Sequence, residues 1–173
     1  MNVNDLVKQL LHGFLILMIQ IIIFRTTALW GVASCFIYIG FLIQLPFYIP
    51  TIFLLLITFG YTLMIDIFYD SPGLHTAAAL AIMYFRNGIF RMMTPSGGYD
   101  NKENTTIFSM GFQWHLLYAF LMVFVHTTLV FSIELLSIGT VWNCFLKIFS
   151  TSIFTVMMIM AYQMLFMYKR NFR

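Results

Sequence analysis

Long apolar runs alternate with short polar breaks from one end of the chain to the other. The runs fall at about 6–24, 29–45, 51–68, 74–93, 112–138 and 141–168. None has the period-two alternation of a barrel strand. Each is apolar on all sides, which at these lengths predicts a membrane-spanning helix. Breakers sit between the runs. Pro46 and Pro50 bracket the second break, Pro72-Gly73 make the third and Gly139-Thr140 the fifth, because proline lacks an N–H and disfavours helix in the residue before it. The pattern predicts an all-α membrane protein of six transmembrane helices, forming one integral domain over 1–173. The last two runs exceed the thickness of a bilayer, so those helices are expected to tilt or to extend past the cytoplasmic face. One connection is long, 94–111, and its part at 94–106 is rich in Gly, Asn and Thr without periodicity, as in a solvated loop.

Composition narrows the class further. Of the 173 residues 61% are hydrophobic and 9% charged, against about 25% charged in a soluble domain, and the mean hydropathy is +0.91. That leaves too little polar surface for a soluble shell, and it excludes disorder. The first run is followed by Arg25-Thr26-Thr27 rather than by a small-residue cleavage site, so it reads as a retained span and not as a signal peptide. The net charge of +3 sits at helix ends, which points to topology and anionic lipid rather than to nucleic acid. With both termini cytoplasmic, Lys8, Arg86, Arg91, Lys102, Lys169, Arg170 and Arg173 lie on the inner side, and only Arg25 and Lys147 on the outer. This is the distribution the positive-inside rule expects. Trp30 and Trp142 then anchor the outer interface, and Trp114, Tyr162 and Tyr168 the inner one.

Polar residues inside the runs are the places where chemistry can reside, since charge in hydrocarbon is costly unless paired or functional. Asp66 and Asp70 are four apart, on one face of the third helix near its outer end, and His75 follows the Pro72-Gly73 turn. Two readings apply. In one the three residues form a metal or proton-relay group. In the other the carboxylates satisfy N–H groups where the fourth helix begins and His75 bonds to one of them, a common arrangement at helix starts. Glu134 and Lys147 flank the last turn at similar depths, which predicts an ion pair between helices five and six; the alternative is that each reaches the outer interface separately. Arg86, Lys8 and His12 are expected to reach toward cytoplasmic headgroups. His115 and His126 share a face but stand about 16 Å apart along the axis, too far to share an ion, so they and Gln20 are expected to make interhelical hydrogen bonds. Ala77 and Ala81 give helix four a flat packing face. Cys35 and Cys144 lack any zinc spacing and are expected as buried thiols. No phosphate-cradling loop, HExxH or GxSxG is present, and neither is the pair of broken helices that marks a transporter. No catalytic site, metal or cofactor is therefore expected.

The stretch at 60–78, which runs from Gly60 through Asp66, Asp70, Pro72, Gly73 and His75 to Ala77-Ala78, resembles the bacterial rod-shape-determining MreD family. In that family a Gly-containing helix ends in Asp and is followed by a short turn, a Pro/Gly-Leu-His sequence and a helix of small residues. The likeness in length and hydropathy extends over the whole chain. The resemblance implies a non-enzymatic scaffold subunit of the cell-elongation (rod) complex in the bacterial inner membrane. It would act in cell shape and peptidoglycan synthesis through MreC, with MreB, RodA and a penicillin-binding protein in the same complex. The implied fold is similar to the S-components of energy-coupling-factor transporters, which leaves a small-molecule-binding transporter subunit as the alternative. Those components carry an Ala-x-x-x-Ala motif in helix one, which is absent from Gly13–Ile21. Within the resemblance Asp66, Asp70, Gly73 and His75 shape the outer turn, and the loop at 94–106 is a docking candidate.

Overall fold

The computed structural model of the chain describes residues 3–26, 32–47, 49–94, 105–135 and 141–167. Among them every regular element is helical. In chain order these are α1 (Val3–Ile19), continued by a π-helical turn at Gln20–Phe24, then α2 (Tyr38–Ile43), α3 (Thr51–Tyr69), α4 (Leu74–Met92), α5 (Ile107–Met110), α6 (Phe112–Leu135) and α7 (Val141–Met167). Among the described residues three helices are long and apolar enough to cross a membrane: α3, α6 over Phe112–Glu134, and α7 over Val141–Phe166. The apolar stretch Lys8–Phe24 is shorter. α4 matches α3 in length, with 19 residues, but Arg86, Asn87 and Arg91 lower its hydropathy.

The expected helix over 29–45 is the largest departure. In its described part only the six residues Tyr38–Ile43 are helical, and residues 33–37 are not. This segment runs through the middle of the bundle, where water cannot serve its backbone, so side chains of other elements do. The N–H of Ser34 donates to Thr151 Oγ1 at 3.1 Å and that of Phe36 to Thr155 Oγ1 at 3.0 Å. Two residues of extended chain rise about 6.6 Å and four residues of helix about 6 Å, so alternate N–H groups meet successive hydroxyls one turn apart on α7.

α2 packs against α1, α4 and α6. Two glycines make room for it. A Cβ at Gly13 of α1 would stand 2.8 Å from the Phe41 ring, and one at Gly40 would stand 3.0 Å from Ile159 of α7. Around this centre α3 pairs with α4, α4 with α6, and α6 with α7. Ile16, Leu42, Ile65, Met122 and Ile159 are fully buried between them. Large apolar side chains also cover the outside: on α3, Ile52, Phe53, Leu56, Phe59 and Ile67 are exposed while Thr58, Thr62 and Asp66 are buried. Polar groups inside and apolar groups outside is the arrangement that hydrocarbon surroundings select.

The connection expected as solvated loop is partly structured. Thr105 is buried and its hydroxyl donates to the Ile43 carbonyl. Thr106 and Ser109 form a reciprocal capping box that starts α5. Gly111, with φ +84°, then turns the chain into α6, a backbone setting that favours glycine. Residues 95–104, including Lys102, lie outside the described residues, as do Trp30, Gly139, Thr140, Tyr168, Lys169, Arg170 and Arg173.

Candidate functional site

α3 ends where Asp70 adopts a left-handed conformation (φ 53°, ψ 37°), with its N–H bonded to the Asp66 carbonyl. Gly73, at φ +80°, leads into α4 and provides no side chain to cap it. The cap comes from the preceding helix instead. Asp66 Oδ1 accepts the His75 N–H at 3.0 Å and Asp66 Oδ2 the Thr76 N–H at 2.9 Å, while Ser71 Oγ also donates to Oδ1 at 3.0 Å. A carboxylate at the positive end of a helix, filling two orphan N–H groups, is favourable on both counts. Three donors thus fix the Asp66 carboxylate in place as the cap of α4.

Asp70 does not share this site. The left-handed turn directs it outward, where it pairs with Arg25 at 3.0 Å and both side chains stay exposed. The expectation that Asp66 and Asp70 share a helix face is thereby corrected: α3 stops one residue short of Asp70. His75 bonds to Asp66 as the capping reading expects, and does so through its backbone N–H rather than its ring. Among the described residues no group of three His, Cys, Asp or Glu side chains is placed to hold a metal ion.

The His75 ring belongs to another cluster. Tyr38 Oη, from α2, lies 3.2 Å from His75 Nδ1 on α4 and 2.8 Å from His126 Nε2 on α6. All three residues are buried, and the Phe36 ring packs edge-on against both imidazoles. The single phenol proton can serve only one imidazole, so the other ring must donate its own N–H to the phenol oxygen. Beside this cluster Gln20, in the π-helical turn, clasps the non-helical segment. Its Nε2 donates to the Cys35 carbonyl at 2.9 Å and to the Tyr69 hydroxyl, and its Oε1 accepts the Tyr38 N–H at 3.3 Å. Gln20 is buried at the start of this π-helical turn, a rare feature that is frequent at functional sites.

Arg86 corrects a further expectation. It does not reach toward headgroups but is 2% exposed, among the largest fully buried side chains of the molecule. Its Nη2 donates to the Leu45 carbonyl, just past the end of α2, and its Nε to Tyr118 Oη at 3.2 Å. The guanidinium sits 4.8 Å from the Phe90 ring centre and 5.9 Å from that of Phe47. The negative end of α2 and two aromatic faces offset part of the charge. Tyr118 and Thr105 also donate to the Ile43 carbonyl, so side chains close the C-terminal end of α2 as they serve the segment before its N-terminal end. His115 lies beside Gln163 at 2.7 Å, a bond from α6 to α7.

The remaining expected residues are more scattered. Lys147 Nζ lies 3.2 Å from Glu134 Oε1, joining α6 and α7. Lys8 and Arg91 are exposed, whereas the ring of His12 stacks on Tyr162 at 5.5 Å and meets Phe41 edge-on instead of extending outward. Ala77 faces outward and Ala81 is half-buried; the residues that pack are Ala78 and Ala79, one position round the helix. Cys35 is buried and Cys144 half-buried. Sequence reasoning passed over Tyr38, Thr151, Thr155 and Gln163. The signal for three of them was the four- and eight-residue spacing of Thr151, Thr155 and Gln163, a polar stripe along an otherwise apolar α7. No family model, curated protein or solved structure matches the chain.

Proposed function

We propose that this chain is a non-catalytic scaffold of the bacterial inner membrane, an MreD-like subunit of the cell-elongation complex that acts on cell shape and peptidoglycan synthesis through contacts with MreC. MreB, RodA and a penicillin-binding protein are members of the same assembly in this reading, and membrane lipid surrounds the chain. The polypeptide crosses the bilayer six times with both termini cytoplasmic. Its crossings are α1 with its π-turn, the discontinuous segment around α2, then α3, α4, α6 and α7. One observation carries the reading: the resembling stretch at 60–78 is a single structural unit, in which Asp66 of α3 caps α4 across the Asp70–Gly73 turn. A turn held this way is a rigid, partner-independent feature on the outer side, suited to binding and not to catalysis. The test is genetic and biochemical together. Replacing Asp66 with Ala at unchanged membrane level is expected to reduce recovery of the bitopic partner and to round the cells; full recovery with normal rods would overturn the role of this turn.

A second reading is a small-molecule-binding subunit similar to an S-component. It is favoured by the discontinuous central segment, whose surroundings of Gln20, Tyr38, His75 and His126 are polar at membrane depth, a setting in which transporter folds place ligands. A ligand retained through purification, or an ATPase recovered in place of a bitopic partner, would select it.

A further inference from the structure

Two observations meet at the C-terminal end of α2. The first is a buried charge without an acid. Arg86 is buried, and among the described residues no carboxylate pairs with it: Asp66 caps α4, Asp70 holds Arg25 and Glu134 holds Lys147. Its hydrogen bonds run from Nε to Tyr118 and from Nη2 to the Leu45 carbonyl, which leaves the N–H groups on Nη1 unused. A charge kept inside a membrane protein marks a functional site by default, and neutral partners offset only part of its cost. The second observation is a buried amide without a partner. Gln44, the residue before Leu45, is 6% exposed, and neither its Nε2 nor its Oε1 is hydrogen-bonded. Buried amides are nearly always bonded, so an exception calls for an explanation.

The backbone acceptors at this end are already served. The Ile43 carbonyl takes the hydroxyls of Thr105 and Tyr118, and the Leu45 carbonyl takes Arg86. What remains is positive and rich in donors: Arg86 Nη1 and Gln44 Nε2, with Gln44 Oε1 as the one acceptor of the amide. The complement of that set is an oxyanion that also carries an O–H. A carboxylate has no proton to offer Gln44 Oε1, whereas a phosphate monoester titrates near neutral pH and has both oxyanion and O–H in its singly protonated form. We propose that Arg86 and Gln44 bind a phosphate group, whose oxygens accept from Arg86 Nη1 and Gln44 Nε2 and whose O–H donates to Gln44 Oε1. The half-buried Phe47 ring stands 5.9 Å from the guanidinium carbon, so the site lies one side chain below the surface. A monoester lipid headgroup and a soluble phosphate present the same chemistry. The site is at the far end of α2 from Tyr38 and stands or falls independently of both readings given above.

The test is equilibrium dialysis of the full chain in neutral detergent against radiolabelled inorganic phosphate, at constant ionic strength held with gluconate. Binding is expected to saturate at a single phosphate per chain and to raise the unfolding midpoint as it does so. Arg86→Gln should abolish it, and Lys147→Gln, at an exposed cation, should leave it unchanged. Gln44→Leu keeps the test decisive if the Arg86 variant fails to fold. It removes an amide that has no partner in the free chain, so its midpoint without phosphate should be no lower than that of the parent, while its phosphate affinity falls severalfold. Phosphatidic acid added in mixed micelles then separates the sources: displacement of the bound phosphate one for one, with none by phosphatidylcholine, assigns the site to a lipid headgroup, and retention assigns it to a soluble phosphate. Absence of saturable binding, or Gln44→Leu titrating as the parent does, would overturn the proposal. Chloride displacing phosphate at equal concentration would overturn the assignment to phosphate.

Discussion

Asp66 performs from a neighbouring helix the task usually given to a capping residue of the same helix, and its neighbour Asp70 shows how local that role is. Removing the Asp66 carboxylate leaves the N–H groups of His75 and Thr76 buried without an acceptor, a loss of about 1–3 kcal/mol for each group so stranded. Asp66→Ala is therefore expected to lower the unfolding midpoint in detergent clearly, and Asp66→Asn, which keeps one carbonyl acceptor, to lower it less. Asp70→Asn breaks only an exposed pair with Arg25 and should change stability by no more than about 0.5–1 kcal/mol. Equal losses for the Asp66 and Asp70 variants in thermal unfolding would contradict this division of roles. The capping role was legible from position, since acidic side chains gather at helix starts. The divergence of the two residues was not, because four-residue spacing implies a shared face only while the helix continues, and the left-handed backbone at Asp70 ends it. Arg86 was misjudged for a related reason: its aromatic and carbonyl partners come from Leu45, Phe47 and Tyr118, distant in sequence, while the snorkelling rule considers one helix alone. Lysine lacks the planar fork and stacks less well on rings, so Arg86→Lys is expected to destabilise the protein in the same assay, and a midpoint equal to that of the parent would show that the fork and the rings contribute nothing.

The segment around α2 is the element that sequence periodicity misread. Its residues are as apolar as those of any spanning helix, and no local signal separates a helix from a buried non-helical run of the same composition. What decides the outcome is far away: Thr151 and Thr155, 117 and 119 residues along the chain, receive the N–H groups that a helix would have used itself. Thr151→Val and Thr155→Val keep the shape of the side chain and remove the acceptor. Each is expected to cost about 1–3 kcal/mol and to speed deuterium exchange in peptides covering residues 33–38, with little change in α3. Unchanged exchange there would mean that packing alone holds the segment. By contrast, α3, α4, α6 and α7 follow the apolar runs closely, because Pro50, Gly73 and Gly111 mark where they start. The depth argument that paired Glu134 with Lys147 needed only antiparallel geometry, and the two atoms lie 3.2 Å apart. Both side chains remain partly exposed, so a double-mutant cycle with Glu134→Gln and Lys147→Met is expected to give a coupling of about 0.2–1 kcal/mol; zero coupling would remove the pair as a tie between α6 and α7.

For the molecule as a whole, the scarcity of charge and the placement of polar groups express one condition. With 9% charged residues the chain has little to present to water. It turns Gln20, Asp66, His75, Arg86, His126 and Gln163 inward, where each meets a partner from another element. The interior is thus tied together by directional bonds, while the outer surface is apolar and suits lipid or other helices. An apolar outer surface over an internally tied body suits contact with other helices, in keeping with the scaffold proposed above. The proposed orientation is open to direct probing: with Cys35 and Cys144 replaced by serine, a cysteine at Lys8 should react with an impermeant reagent only from the cytoplasmic side and one at Trp142 only from the outside. Capture of the tagged chain from its own native membranes, with the proteins held to it identified by mass spectrometry, tests the central claim most directly. The account predicts a single-span MreC-like protein in near-stoichiometric amount, accompanied by the filament and wall-synthesis proteins of cell elongation. Recovery of an energising ATPase with a bound small molecule, and no such single-span protein, would contradict it.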